Sequence, residues 1–483
     1  MAIDFGSGQW LEQLPAIGVK RVEHVILTHH HADQCAGLEG RDDWPFAIHA
    51  PDGEKPFLSP EGIEAIRKRR LAGNPFPPSY CLLDRGLANV QCDLGPGSRE
   101  LLWGPTRVRF IATPGHSPKA LSAILDWRGK QVVFCGDAAH AGATVWQPYC
   151  LEWHHSNADG PLAAWEGVRN LASIAIDLLC PSHGPAIADH PRKMLAELAK
   201  KLMKFYEAKG NICPGEPDRY VPVETMAPQI KKVLPSLYQY GMNGYLLLSQ
   251  SGEALVVDPQ RNAHKWLEDL LDRLGRPAVA AAIASHYHCD HTDGFTLLKE
   301  RFGARICLHP WLAEVLGDHR RHDMIWPSEM DTRADELLPE RGEWRWNEYV
   351  FQVAPFPGQT RWHAAYQTAI DGQKVFFGGD NFQPCSRWNG TGGFCSINDS
   401  RFRDGFIASA QLVLDWKPDL LCNGHGTFFR FSPSQFHKIQ KWALKAEKAV
   451  VDLCPTGDLE EDYYIHHPGG LAPHPSRHGN AGI

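Results

Sequence analysis

Long apolar runs are missing from this chain. None approaches the roughly 18–20 residues a helix needs to cross a bilayer, so no membrane partner is expected. No CxxC pair occurs among the thirteen cysteines, an odd number scattered along the sequence. That argues against a disulfide framework or a zinc ribbon and for a reducing compartment. No positively charged leader precedes an apolar core near Met1, and the cytoplasm is the expected location. Positive charge is not in excess either. With 49 Lys and Arg against 56 Asp and Glu, the net charge of −7 gives a polyanion nothing to bind, and no nucleic-acid partner is expected. The densest basic run, Arg67 to Arg70 in EAIRKRR, reads as the solvated face of a helix.

What is present is ordinary in bulk and unusual in pattern. At 483 residues the chain is long for one hydrophobic core, and 43% apolar with 22% charged residues describes a globular protein. The pattern is a repeat too long for a solenoid, so its unit is a domain. THHHADQCAG (28–37) follows the short apolar run VIL, and SHYHCDHTDG (285–294) follows AAAIA. Asp4 precedes the first cluster by 25 positions, counted to His29, and Asp258 precedes the second by 28, counted to His286. ATPGHS with His116 then matches APFPGQT with Gln359, and each is followed 21 residues later by an aspartate, Asp137 in FCGD and Asp380 in FFGGD. The final landmarks, His183 in PSHG and His425 in NGHG, lie 46 and 45 residues further on. Four landmarks in one order at nearly one spacing indicate a tandem duplication.

The chain is expected to divide into a first domain over 1–209, a linker over 210–241, a second domain over 242–454 and a disordered tail over 455–483. Gly210 closes a helical pattern, and the prolines after it suit a linker. MNGYLLLSQSGEALVVD (242–258) reads as two strands about a Ser-Gly turn, and the first domain is expected to lack these opening strands.

Histidine and aspartate at i, i+2 and i+4 after a buried strand suit a metal site at the strand's end, where a loop turns them to one point. With the later PGH, GD and GHG turns, the HxHxDH outline resembles the metallo-β-lactamase superfamily across nearly the whole chain, twice. The resemblance implies an α+β fold, two tandem four-layer αββα sandwiches with metals at the loop edge. It implies His29, His31 and His116 for a first metal in the first copy, with Asp33 and His183 on a second metal, Asp137 bridging, and Gln34 where a histidine is usual. In the later copy it implies His286 and His288 for one metal, Asp290, His291 and His425 for the other, and Asp380 bridging. There Gln359 replaces the first-metal histidine, and His363, four residues on, is a candidate stand-in. A glutamine carbonyl is a poorer zinc donor than imidazole, so each copy is expected to hold one firm and one loose metal.

The resemblance further implies Zn2+ as the cofactor, one or two ions per domain, with Fe or Mn as alternatives. It implies a metal-dependent hydrolase in which a metal-bound hydroxide attacks a small ester, lactone or thioester, with Asp33 and Asp290 as catalytic residues that orient the water and relay its proton. His140, Tyr149 and His154, in the loop after Asp137, are candidate contacts to this small-molecule substrate. The alternative is that one or both domains are non-catalytic metal-binding or scaffolding modules. A redox role is disfavoured, because the first cluster lacks the glutamate, and the chain the flavin domain, of the flavodiiron relatives.

Overall fold

The computed structural model describes residues 1–71, 81–95, 100–153, 159–210, 220–318, 326–328, 330–382, 394–426 and 428–464. They fall into two compact units: in the main, Met1 to Ala208 with the stretch after Lys448, and Lys209 to Glu447.

In the first unit, β1 (Ala2–Ile3), β2 (His24–Ile26), β3 (Ala47–Pro51) and β4 (Val90–Leu94) form a parallel sheet. A second sheet runs β5 (Leu101–Trp103), β6 (Thr106–Ala112), β7 (Leu121–Trp127), β8 (Lys130–Gly136) and β9 (Leu178–Pro181), antiparallel except for the last pair. Alternation along β2 sets the layers, because neighbouring side chains leave opposite faces of a strand. Val25 packs with Leu38, Leu58 and Ile63 from the helical segments. Ile26, one residue on, packs with Leu94, Val108, Leu121 and Ala123 between the sheets. Each fully buried aliphatic side chain of this kind contributes roughly 1.5–3 kcal/mol.

The second unit repeats the plan with longer sheets. Strands β10 (Glu224–Ala227), β11 (Ile230–Leu234), β12 (Leu237–Tyr240), β13 (Gly244–Leu248) and β14 (Glu253–Val257) are antiparallel. β15 (Ala278–Ile283), β16 (Arg305–Leu308) and β17 (Glu336–Leu337) continue that sheet in parallel. The β13–β14 hairpin lies where 242–258 predicts it, with Tyr245 opposite Val257. Facing it are β18 (Gly342–Trp346), β19 (Tyr349–Pro355), β20 (Ala364–Ile370), β21 (Gln373–Gly379), β22 (Leu420–Asn423) and β23 (Phe428–Arg430). The helix His264–Arg273 buries Leu267, Leu270 and Leu271, the i, i+3, i+4 stripe of a helix laid on a sheet. Each unit is thus an αββα sandwich.

Of the segment read as a tail, 455–464 includes a helical turn at Leu459–Asp462, and Tyr463 is buried with its hydroxyl donating to Glu152. Residues 465–483 lie outside the described residues, as do His154 and most of the loop after Asp380. The side chains of Arg67, Arg69 and Arg70 also lie outside the description. Among the described residues no helix is long and apolar enough to cross a membrane.

Candidate metal centres

Every landmark of the first copy lies at the same end of the strands. β2 runs out through Leu27 and Thr28 into His29, and His31 caps a one-turn helix, Ala32–Cys35, that carries Asp33 and Gln34. His116 sits between β6 and β7, Asp137 directly follows β8, and His183 follows β9. Gly136 makes the turn into Asp137 at φ 55, where a Cβ would fall 2.6 Å from Thr28 Oγ1, so glycine is required there.

His29, His31 and His116 converge, each with a nitrogen within 4.8 Å of the others, and their rings are 4.5–5.1 Å apart between centroids. All three are buried. Burial, then the neighbouring imidazoles, holds His29 and His116 well below the usual histidine range, and burial takes His31 down to about 3. They are therefore neutral, with lone pairs free to ligate. His29 Nε2 and His116 Nε2 are buried without a hydrogen-bond partner, as is Asp137 Oδ1. Buried polar atoms left unpaired are costly, and convergent ones fit a metal ion. A relay fixes the tautomer: His29 Nδ1 bonds Thr28 Oγ1 (3.0 Å), which donates to Asp4 Oδ2 (3.0 Å).

The second group, Asp33, Asp137 and His183, also converges, and His183 Nε2 donates to Asp33 Oδ2 across 2.9 Å. Gln34 occupies its middle. Its Nε2 donates to Asp33 Oδ2 and Asp137 Oδ2, both at 3.2 Å, and lies 3.3 Å from His183 Nε2. Burial and the nearby Asp33 charge push Asp137 well above the usual carboxylate range. Trp146 stacks on the His183 ring at 4.4 Å.

In the second copy the relay recurs as His286 Nδ1 to Ser285 Oγ (3.1 Å) to Asp258 Oδ2 (2.8 Å). Here Asp258 Oδ2 also pairs with His291 Nδ1 at 3.0 Å, which turns His291 Nε2 inward. Asp290, His291, Asp380 and His425 form one four-ligand group, and His286, His288 and Asp380 another. His425 Nε2 lies 2.9 Å from Asp380 Oδ2, and His291 Nε2 3.4 Å from Asp380 Oδ1. Although burial acts to raise it, these two rings bring Asp380 well below the carboxylate range, the reverse of Asp137. His286 Nε2 and His288 Nδ1 stand 2.9 Å apart.

Gln359 is buried in its loop, its backbone carbonyl accepting from Asn398 and Ser400. The structure does not bring His363 into either ligand group. Its backbone bridges His286, its ring stacks on the His286 ring at 4.7 Å, and its Nε2 donates to the Gly378 carbonyl at 3.0 Å. Of the candidate substrate contacts, His140 bonds Thr144 Oγ1 (3.0 Å) within a small turn, and Tyr149 is half-buried beside Cys150.

Three partners escape the sequence reading. Asn243 Nδ2 donates to Asp290 Oδ2 (2.9 Å) and lies 3.0 Å from His291 Nε2, while its Oδ1 accepts from the His425 backbone N–H (2.6 Å). Asn398 Oδ1 bonds His288 Nε2 at 2.9 Å. Glu54, fully buried, bonds His30 and accepts from Ser117 Oγ (2.7 Å) and the Lys119 N–H (2.9 Å), tying the first cluster to the His116 loop.

Exposure divides both copies alike. In the first, the side chains of His29, His116 and Asp137 are 1% exposed while Asp33 and His183 are 27% exposed. In the second, His286 and His291 are at 0%, while Asp290 and His425 are at 27% and 29%. Each centre is a buried imidazole floor with a solvent-facing carboxylate–imidazole rim.

A model of the metallo-beta-lactamase superfamily matches residues 3–183 and again 241–425, and the chain belongs to that superfamily. The probable metallo-hydrolase YqgX of Bacillus subtilis (strain 168) is 26% identical over 119 residues, 24% of this chain and 50% of that protein. The chain thus spans about half the length of the curated relative it matches. Among solved structures it is similar to a beta-lactamase from Chitinophaga pinensis (16% identity, 49% of this chain and 99% of that one, TM-score 0.36). It is also similar to the BLEG-1 B3 metallo-beta-lactamase (22% identity, 41% and 91%, TM-score 0.32).

Proposed function

We propose that this chain is a metal-dependent hydrolase of the cytoplasm, acting on a small ester, lactone or thioester, with zinc as its metal. The observation that supports it best is the floor-and-rim arrangement, in which a substrate entering from solvent meets Asp33 and His183, or Asp290 and His425, above the buried ligands. A divalent ion in such a centre acts as a Lewis acid and makes water nucleophilic at neutral pH. The chain's own residues do the rest. Asp290 Oδ1 is buried without a hydrogen-bond partner, which supports Asp290 as the carboxylate that orients the water and takes its proton. His425 is held by the bond from its N–H to Asn243 and oriented by Asp380. In the first copy Asp33 is the corresponding acceptor, its carboxyl brought below the usual range by His183 although burial acts to raise it. The net charge of −7 favours a small substrate over a nucleic acid.

The test is turnover of a panel of esters, lactones, thioesters and phosphodiesters by the metal-loaded full chain. Hydrolysis of none of them would refute the proposal.

A second reading, that the first copy is a non-catalytic metal-binding module, is favoured by Gln34, whose amide fills the middle of the Asp33–Asp137–His183 group. Under it, Asp380→Ala abolishes turnover and Asp137→Ala leaves it intact. Loss of turnover in both variants removes this reading.

A further inference from the structure

The first copy carries a thiol pair that neither the ligand outline nor the hydrolase reading uses. Cys81 and Cys150 are each 5% exposed, both free, with their sulfurs 3.8 Å apart. A ring nitrogen of His31 lies within 4.8 Å of both sulfurs. The three come from separate parts of the unit: His31 caps the helical turn Ala32–Cys35, and Cys150 sits on the short 3-10 turn Pro148–Leu151.

The second copy shows what a histidine at this position otherwise does. His288 turns Nδ1 towards His286 and gives Nε2 to the amide oxygen of Asn398. His31 instead has soft sulfur within reach. The spacing suits a metal, since two thiolates each about 2.3 Å from one tetrahedral ion stand about 3.8 Å apart. It is well beyond the roughly 2.05 Å of a disulfide. Thiolate and imidazole together select soft cations over Mg2+ or Ca2+.

We propose that His31, Cys81 and Cys150 form a binding site for a thiophilic cation, Zn2+ or Cu+, that shares His31 with the three-histidine group. Both thiols lose their protons to solvent as the two sulfur–metal bonds form, His31 also gives up its ring N–H when both groups are filled, and nothing is oxidised or reduced. The site is independent of whether either copy hydrolyses anything.

The experiment is titration of the reduced, metal-free full chain with Cd2+, read by the ultraviolet thiolate-to-cadmium absorption. The expected result is a saturable band whose final height corresponds to one two-thiolate cadmium per chain, is lost in Cys81→Ser and Cys150→Ser, and persists in His116→Ala, which opens the three-histidine group but not this one. Cys150→Ala, checked for folding by circular dichroism, guards against a serine variant that fails to fold. Competition separates the ions: displacement of cadmium by Zn2+ or by chelated Cu+ identifies the occupant, and displacement by neither overturns the proposal. A band unchanged in folded cysteine variants overturns it. So does a Cys81–Cys150 disulfide, found by mass spectrometry, in protein that gives no such band.

Discussion

Gln34 Nε2 donates to Asp137 Oδ2 across 3.2 Å, where the second copy sets His291 Nε2 3.4 Å from Asp380 Oδ1. The two matched carboxylates are shifted in opposite directions. Although burial acts to raise it, His425 and then His291 bring Asp380 down, whereas burial outweighs His183 at Asp137, where an amide stands in place of His291 and His183 bonds Asp33. The amide N–H groups satisfy the carboxylates that would otherwise face a second cation.

Replacing Gln34 with histidine therefore completes the second site of the first copy. Gln34→His is expected to add one equivalent of tightly held metal per chain, counted by mass spectrometry after gel filtration. An unchanged count shows that the amide is not what weakens the site.

Asp4 feels the same substitution from behind. Asp258 has His291 for a partner, while Asp4 accepts from Thr28 and from Ser182 Oγ at 2.8 Å, and burial raises it to about 6. A carboxyl raised from 3.8 to about 6 on folding favours the fold below pH 4 and loses that contribution as pH rises through 6. Relative to Asp4→Asn, the metal-free wild type should lose about 1–3 kcal/mol of stability between pH 4 and 7. Urea melts across that range check it, and a flat difference contradicts it.

Glu54 is the buried link between His30 and the His116 loop. Glu54→Ala leaves the His30 ring, the Ser117 hydroxyl and the Lys119 N–H without their acceptor. A cost of about 3–5 kcal/mol is expected, as for a broken buried pair. It should appear as a large fall in the thermal midpoint of the first unit.

These partners mark where sequence reading stops. The converging histidines and aspartates are legible because each follows a short apolar strand or a Gly-containing turn, and such local patterns repeat at matched intervals. Asn243 stands 48 positions before His291 and reaches it through tertiary folding alone, and Glu54 follows a strand with nothing local to signal a role. The pairing of Cys81 with Cys150 spans 69 positions. His363 had a plausible sequence position for a ligand, but its backbone bridge to His286 turns the ring to the Gly378 carbonyl.

Asn243 braces the second copy from both sides, through Asp290 and the His425 N–H. Asn243→Ala should weaken metal binding there by roughly 10–100-fold, as loss of an outer-shell partner does. Competition with a chromophoric chelator measures it, and unaltered affinity in a folded variant contradicts the bracing role.

Each copy is expected to hold one firm metal, the first on His29, His31 and His116, the second on Asp290, His291, Asp380 and His425. The most direct measurement is metal per chain for wild type, His116→Ala, His425→Ala and the double variant, purified without chelators. The expected result is the loss of one equivalent in each single variant and of two in the double. A single variant that retains the wild-type content contradicts it.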